Sequence, residues 1–201
     1  SRFLSKDIIT EFRGRGDEVH IFPLSFKEFM QVYEGDIYHG WADYMLYGGL
    51  PLTAAMKTEE QKVSYLTSLF EETYLKDIIE RHHIEKTQEL EDLVNILASA
   101  IGSLTNVPKI ESTFRSVLQS KISGNTIRQY IEYLEDAFII HKANRYNVKG
   151  RKYIGTPVKY YFEDVGLRNA RLGFGQVEET HLMENIIYNE LRSRGYAVDV
   201  G

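Results

Sequence analysis

The stretch SGNTIRQYIEYLEDAFIIHKANRY, residues 123–146, decides how this chain is interpreted. It begins with Ser, Gly and Asn, which favour the start of a helix, and it ends in basic and aromatic residues. Its apolar side chains recur at i, i+4, i+7 and i+11, on one face of a helix: Ile127, Ile131, Leu134 and Phe138. The stretch therefore predicts one of two things. It is the recognition helix and first wing strand of a DNA-binding module, or a core helix followed by a hairpin.

The segments on either side of this helix form a known order. Residues 108–120 predict a short helix before it. Residues 138–146 and 158–163 predict two strands, which the loop NVKGRKYIGTP connects. Helix, turn, helix and hairpin in this order are typical of a winged helix-turn-helix.

The first half of the chain is predicted to be mostly helical. Ser25 followed by Glu28 is a capping box that begins one helix, and Gly48 ends the next. Apolar stripes predict further helices over residues 58–83 and 87–101. We therefore expect a helical bundle before the winged helix-turn-helix.

Both ends of the chain and the turn after the hairpin have weaker patterns. Residues 1–13 predict a helix, and the apolar run over residues 19–22 predicts a short strand. Asp164, between a strand and Gly166, predicts a turn. Residues 180–194 predict a last helix, and the terminal YAVDVG predicts a strand that is cut short, so we expect a fragment of a longer protein.

Composition excludes several functional classes. The 201 residues include no cysteine, which excludes disulfides, thiol nucleophiles and Cys-ligated zinc and fits a cytoplasmic location. No window approaches the run of about 18 apolar residues that a membrane span needs, so no membrane partner is expected. The net charge of −5 means that any surface for nucleic acid must be local.

Several segments together resemble bacterial and archaeal AAA+-type ATPases that carry a C-terminal domain of unknown function. SRFLSKDI, GRG and HIFPLSFKEF resemble the end of the ATPase module, and YGGLP and YLKDII resemble the helical start of the C-terminal domain. GNTIRQYIEYLEDAFII is similar to the family's helix-turn-helix signature, and KYYFEDVGLRNA to its strand, Asp and Gly-Leu segment. HLMENIIYNEL resembles the helix that opens the family's nuclease-like end domain.

This resemblance implies a division of the chain and a fold class. Residues 1–34 would be a remnant of the ATPase module with a linker helix, and residues 35–106 the helical bundle. Residues 107–166 would be the winged helix-turn-helix, and residues 167–201 the start of a truncated nuclease-like domain. The implied fold is mainly α with a small β component, ending in a truncated α/β nuclease-like part.

The resemblance also implies chemistry in a longer parent chain. ATP and Mg²⁺ are implied for that parent, whereas this fragment lacks the G-x-x-x-x-G-K-[ST] loop, so no cofactor of its own is expected. Arg15 matches the family's Gly-Arg and is the candidate arginine finger; a solvent-exposed loop Arg is the alternative. Glu184 matches one carboxylate of the family's metal site, but one carboxylate cannot hold the hard cation that phosphodiester cleavage needs. The fragment alone is therefore not expected to be an enzyme.

Two groups of residues are candidates for contact with double-stranded DNA. The first lies at the start of the predicted recognition helix, although Glu132, Glu135 and Asp136 follow on the same helix and would repel phosphate. The second is the hairpin, where residues 137–162 include no acidic residue; a solvated edge strand guarded by lysines is the alternative. The candidates are Asn125, Thr126, Arg128 and Gln129 on the helix, and Lys142, Arg145, Lys149, Arg151, Lys152 and Lys159 on the hairpin.

The sequence leaves the function between two classes. A DNA-binding or DNA-sensing module of an ATPase needs an exposed basic hairpin. A protein-interaction module would dock the ATPase against itself, as a homo-oligomer, or against a client. A metal-dependent nuclease in the parent chain is a weaker third possibility. The neighbouring pair His82 and His83 suggests a metal site at first, but adjacent helical residues diverge by about 100°, so a helix-terminal pair is the simpler interpretation.

Overall fold

The computed structural model describes residues 19–146, 157–175 and 178–201, and within these ranges the chain is mainly helical with a small antiparallel sheet. This confirms the predicted mainly α class with a small β component. The elements are α1 (Phe26–Val32), α2 (Ile37–Tyr47), α3 (Pro51–Ala55), α4 (Glu59–Ser68), a π-helical segment (Leu69–Leu75), α5 (Lys76–Arg81), α6 (Thr87–Ser99), α7 (Val107–Ser116), α8 (Gly124–Asp136), β1 (Ile140–Ala143), β2 (Lys159–Phe162), α9 (Val165–Arg171) and α10 (Glu179–Ser193). The predicted helix over residues 1–13 lies outside the described residues.

Local capping explains where the first helices begin and end. The Ser25 hydroxyl accepts from the Glu28 N–H at 3.3 Å, and the Glu28 carboxylate accepts from the Ser25 N–H at 2.8 Å, which confirms the predicted capping box. Asp36 caps α2 by accepting from the N–H groups of the second and third helical residues. Gly48 ends α2 with a φ of +74°, a conformation that favours glycine.

The helix predicted over residues 58–83 is present, with a π-helical insertion in its middle. The helical hydrogen bonds continue from α4 through Leu69–Leu75 into α5. The wider π turn holds an extra residue, so it changes which side chains face the core. Phe70, Leu75 and Ile78 are all buried, on the face that packs against α9 and the rest of the bundle.

The hairpin pairs as predicted, and it has a third short partner. β1 and β2 are antiparallel, with Ile140 opposite Phe162 and Ala143 opposite Lys159. Just before β2, Val158 exchanges two backbone hydrogen bonds of 2.8 Å with Thr105, in the connection between α6 and α7. The chain order is therefore helix, single bridge, helix, helix and hairpin.

The predicted buried face of α8 is confirmed, with one exception. Ile127, Ile131 and Leu134 are buried against α7, where Ile110 and Phe114 face them. Phe138, by contrast, has left the helix and has a φ of +55° in the turn that leads to β1. The helix ends earlier than the apolar spacing indicates because the chain must reverse direction to enter the hairpin.

Two terminal predictions need correction. Residues 19–22 form no strand: Val19 and Ile21 are 80% and 86% exposed, and His20 turns inward to a carboxylate instead of pairing with a neighbouring strand. The YAVDVG run forms only a single parallel bridge, in which Val200 bonds to the backbone on both sides of Arg145. Apolar and polar residues alternate in both segments, but few of their backbone groups pair with a strand.

The turn predicted at Asp164 is also wrong, because Asp164 is the N-cap of helix α9. Its carboxylate accepts from the Leu167 N–H at 3.1 Å. The first six residues of α9 are all buried, between α2, α4 and α6. This helix was not predicted because Asp-Val-Gly is equally typical of a turn.

The buried apolar residues form one main cluster that includes residues from α1, α6, α8, β2 and α10. The helical part and the hairpin part therefore share a core, while the predicted boundaries at residues 34, 106 and 166 stay predictions. Within the described ranges, the structure has no helix with the length and apolar character that crossing a bilayer requires.

The start of α9 lies so close to the end of α2 that only glycine fits. A Cβ on Gly166 would lie 2.1 Å from the Tyr47 carbonyl oxygen. Alanine usually stabilises a helix relative to glycine, so this site reverses the normal preference. We expect Gly166→Ala to lower the free energy of unfolding by about 3 kcal/mol, measured by urea denaturation followed by circular dichroism.

Gly175→Ala is the matched control. The nearest atom to its added Cβ is the Leu172 carbonyl oxygen at 3.8 Å, an ordinary contact. Its effect should stay within about 0.5 kcal/mol. Equal effects of the two substitutions would mean that α2 and α9 can separate without cost.

Candidate functional site

The site is built around the buried carboxylate of Asp164. One carboxylate oxygen accepts from the Gly49 N–H at 2.7 Å, and the other accepts from the Leu167 N–H. Burial raises the pKa of Asp164 to about 6, although the backbone N–H groups act to lower it. A Cβ on Gly48 would lie 2.1 Å from this carboxylate, so the missing side chain of Gly48 leaves the space for it.

Side-chain amides extend the same junction. The Asn169 amide donates to the carbonyls of Met45 and Leu46, both at 2.9 Å, at the last turn of α2. Arg168, which is fully buried, donates from Nε to the Ala98 carbonyl at 2.8 Å. α9 is therefore held to α2 and α6 by polar bonds as well as by apolar contact.

The end of β2 is held by two asparagines of α10. The Phe162 N–H donates to Asn185 Oδ1 at 2.7 Å, and Asn185 Nδ2 donates back to the Phe162 carbonyl at 2.8 Å. This pair of bonds replaces a neighbouring strand. Asn189 Nδ2 donates to the carbonyls of Phe162 and Glu163, both at 2.9 Å. The backbone of Glu163 is thus fixed before its side chain is considered.

Glu163 lies between two histidines, and we call His20, His141 and Glu163 the His–Glu–His cluster. His20 Nε2 is 2.7 Å from Glu163 Oε1, and His141 Nε2 bonds Glu163 Oε2. His20 also packs against the rings of Phe22 and Phe138, with centroids 4.2 and 4.9 Å away. The cluster therefore joins the segment before α1 to both strands of the hairpin.

Arg192 on α10 adds a positive charge to the cluster. Its guanidinium lies 3.6 Å from Glu163 Oε2 and packs over the rings of Phe22 and Tyr188. This separation is too long for a hydrogen bond, and one buried terminal nitrogen of Arg192 has no hydrogen-bond partner among the described residues.

The protonation states in the cluster follow from burial and from the close pairs. Burial opposes ionisation of Glu163, but the hydrogen bonds and charge of His141 and His20 outweigh it and lower the pKa of Glu163. Burial lowers the pKa of His141, and this effect exceeds the opposing attraction of Glu163. An ionised carboxylate beside a neutral imidazole is the favoured arrangement near neutral pH.

A polar cavity of about 710 Å³ adjoins the cluster. His20, Glu163 and Asp164 contribute to its wall, together with charged side chains from α1 and the end of α10. Those charged residues are Lys27, Glu28, Glu190 and Arg194. Carboxyl groups with perturbed pKa values beside a cleft make this a candidate functional site.

The predicted DNA-contacting residues of α8 lie on its outer face. Asn125, Arg128 and Gln129 are exposed, and Thr126 is half-buried beside the N-cap Ser123. Arg128 donates to the Asn125 side-chain oxygen at 2.7 Å, which orients the two side chains relative to each other. The acceptor of the Gln129 amide is the hydroxyl of Tyr133, one turn further along.

The hairpin candidates divide into two groups. Lys142 and Arg145 are exposed at β1 and just after it. Lys159 is half-buried and forms an ion pair of 2.7 Å with Glu184, the candidate nuclease-like carboxylate. Glu184 also accepts from the Tyr161 hydroxyl, and burial together with this bond raises the pKa of Tyr161. Two residues that we predicted to contact separate ligands thus neutralise each other.

The remaining predicted residues lie outside the described ranges or at the end of a helix. Lys149, Arg151, Lys152 and the candidate arginine finger Arg15 lie outside the described residues. His82 stacks on the Tyr133 ring with centroids 3.5 Å apart, and His83 follows the end of α5 with a φ of +50°. The helix-terminal interpretation of this pair fits both positions.

The His–Glu–His cluster was not predicted from the sequence, because its members are far apart along the chain. Glu163 lies 143 residues after His20 and 22 residues after His141, so no short motif contains them. The one local signal was the alternation in HIFP, which turns His20 and Phe22 to the same side.

The chain belongs to the family described as Domain of unknown function (DUF8612), whose profile matches residues 38–178. This match includes Gly48, His141, Glu163 and Asp164. An uncharacterized protein from Haemophilus influenzae is 35% identical over 206 residues, covering 100% of this chain and 51% of that protein. Uncharacterized protein MJ1544 from Methanocaldococcus jannaschii is 29% identical over 208 residues, covering 98% of this chain and 46% of that protein.

The chain therefore spans about half the length of these two curated relatives. No solved structure matches it. The similarity defines a family, and the geometry of the site is the basis for any statement about function.

The central role of Asp164 can be tested by substitution. Asp164→Ala removes the acceptor of the Gly49 and Leu167 N–H groups and leaves both buried without a partner. We expect a loss of about 2–4 kcal/mol in the free energy of unfolding. Asp164→Asn keeps one carboxamide oxygen as acceptor and should lose about half as much. Urea denaturation at neutral pH measures both values.

Asp199→Ala is the control, since Asp199 is exposed near the end of the chain. Its effect should be within about 0.5 kcal/mol. If Asp164→Ala were as mild as this control, the carboxylate would not be what joins α2 to α9.

Proposed function

We propose that residues 107–166, together with helix α6 before them, form a winged helix-turn-helix that binds double-stranded DNA. The observation that carries the proposal is the chain order together with the outer face of α8. In a winged helix a short strand between the first two helices pairs beside the hairpin. The proposal is supported by the bridge between Thr105 and Val158, which lies between α6 and α7 and next to β2, and by α8, which directly precedes the hairpin.

The exposed charges in this region favour a polyanionic partner. From α7 to residue 146 the exposed basic residues outnumber the exposed acidic ones, although the whole chain has a net charge of −5. Glu132 is the exposed acidic residue on α8, whereas Glu135 and Asp136 are half-buried. The exposed basic residues are Lys109, Arg115, Lys121, Arg128, Lys142 and Arg145.

The candidate residues divide by what they can recognise. Asn125 and Gln129 have side-chain amides that can read base edges in the major groove. Arg128, Lys142 and Arg145 have charges suited to phosphates, which set affinity and its dependence on salt. Lys159 is left out of this surface because Glu184 holds it.

We further propose that this module belongs to a longer chain with an AAA+-type ATPase. The support is the resemblance of the segments around GRG, YGGLP and FEDVGL to such proteins, together with relatives about twice as long as this chain. In that setting Arg15 is the candidate arginine finger, and ATP with Mg²⁺ would act in the parent's own module.

A protein-docking module is the second candidate function, because one observation favours it. Val117 and Leu118, in the turn between α7 and α8, are 69% and 39% exposed. They border an apolar groove of about 380 Å³ that also includes Ile96 and Ala100 of the α6 region. Exposed apolar groups around a groove are typical of a protein contact.

DNA binding is tested by titrating fluorescent double-stranded DNA with the chain at several salt concentrations. The main variant replaces Arg128, Lys142 and Arg145 with Ala. We expect it to weaken binding and to reduce the slope of log K against log salt by about 2–3, as three phosphate contacts are lost. A second variant, Lys149→Ala/Arg151→Ala/Lys152→Ala, tests the predicted wing loop in the same way.

The matched control is Lys57→Ala/Lys76→Ala/Lys86→Ala, which removes three exposed positive charges from the helical bundle. It should leave the salt slope unchanged. Equal weakening in the control would show that net charge alone drives the association. If the unaltered chain does not bind DNA at low salt, the proposal is wrong, and self-association through Val117 and Leu118 becomes the next measurement.

A further inference from the structure

We propose that the His–Glu–His cluster binds a divalent first-row transition-metal ion, with Zn²⁺ as its representative. The ligand atoms of His20, His141 and Glu163 all lie within 4.8 Å of one another. Around a tetrahedral ion with bonds of about 2 Å, ligand atoms are ~3.3 Å apart. The three donors therefore need only small rotations to surround an ion, and this inference is independent of DNA binding.

The donor set decides which ions fit. Two imidazole nitrogens and one carboxylate are a combination that zinc and related transition metals accept. Ca²⁺ and Mg²⁺ prefer sites made only of oxygen ligands, which this cluster does not offer. The chain has no cysteine, so a thiolate site for softer ions is excluded.

The scaffold holds the donors in place before any ion binds. His141 is fixed by the β1–β2 pairing, where it lies opposite Tyr161. The backbone of Glu163 is held by Asn189, and His20 is packed between two phenylalanine rings. Ligands that the surrounding structure orients bind metal more tightly than mobile ones.

The cluster can also be explained as a closed hydrogen-bonded group, in which two histidines neutralise a buried carboxylate. The positive charge of Arg192 would have opposite effects under these two explanations. In a closed group, its positive charge helps to neutralise Glu163. Beside a metal ion, the same charge repels the ion, and its free buried N–H would favour an anion bound next to the metal.

The position of the cluster indicates what such an ion would do. Three protein ligands leave a fourth position, and His20 and Glu163 both border the polar cavity. An ion there would also join the segment before α1 to the hairpin. Because the unfolded chain lacks the assembled site, binding would stabilise the folded state.

The test uses the whole chain, freed of metal by a chelator, and titrates it with Zn²⁺ by calorimetry. Co²⁺ absorption reports coordination geometry, and thermal unfolding with and without Zn²⁺ reports stabilisation. We expect one ion per chain. His20→Ala, His141→Ala and Glu163→Gln should each weaken binding by at least about 100-fold. His39→Ala is the control, because His39 pairs with a carboxylate, Asp36, on the surface.

Arg192→Gln is the decisive variant, since we expect it to bind Zn²⁺ more tightly than the unaltered chain. Circular dichroism checks that each variant is folded. If His141→Ala or Glu163→Gln does not fold, His20→Ala still decides, because His20 lies outside the helices and strands. The proposal is overturned if Zn²⁺ binding is absent, if it survives the loss of His20, if it is lost in His39→Ala, or if Arg192→Gln does not strengthen it.

Discussion

The structure depends on one buried carboxylate that bonds to backbone N–H groups from two distant parts of the chain. Asp164 accepts from Gly49, which follows α2, and from Leu167 in the first turn of α9. A carboxylate in this position is costly unless its oxygens are satisfied, so both backbone segments must come together for either to be stable. The contact therefore selects one arrangement of α2 and α9. The same contact positions Glu163, the residue directly before Asp164.

Around this contact, side-chain amides form hydrogen bonds to backbone groups that neighbouring strands or helical turns would otherwise satisfy. Asn185 pairs with both backbone groups of Phe162 as a neighbouring strand would, and the Asn169 amide donates to the last carbonyls of α2. A two-stranded sheet alone is only marginally stable, and Asn185 and Asn189 attach it to α10. Buried amides are directional, so they fix distances that apolar packing leaves less sharply defined. The His–Glu–His cluster lies beside these amides, and Asn189 fixes the backbone of its Glu163.

Local patterns in the sequence were sufficient for most helices and for the hairpin. The capping box at Ser25, the glycine end at Gly48 and the apolar face of α8 all follow from interactions within a few residues. The helix α9 was missed because its stability comes from burial against α2, α4 and α6, which no local pattern records. The pairing of Lys159 with Glu184 could not be predicted either. Its two members are on elements whose packing only the fold determines.

The strand β1 connects the two surfaces to which we assign functions. Successive residues on a strand point to opposite sides, and here His141 faces the His–Glu–His cluster while Lys142 is exposed. Its far end leads to Arg145 and the predicted wing loop. A shift of β1 that tightened the cluster would therefore move the basic side chains as well. Any such coupling must be reciprocal, so DNA that favoured one position of the strand would change the affinity for metal by the same factor.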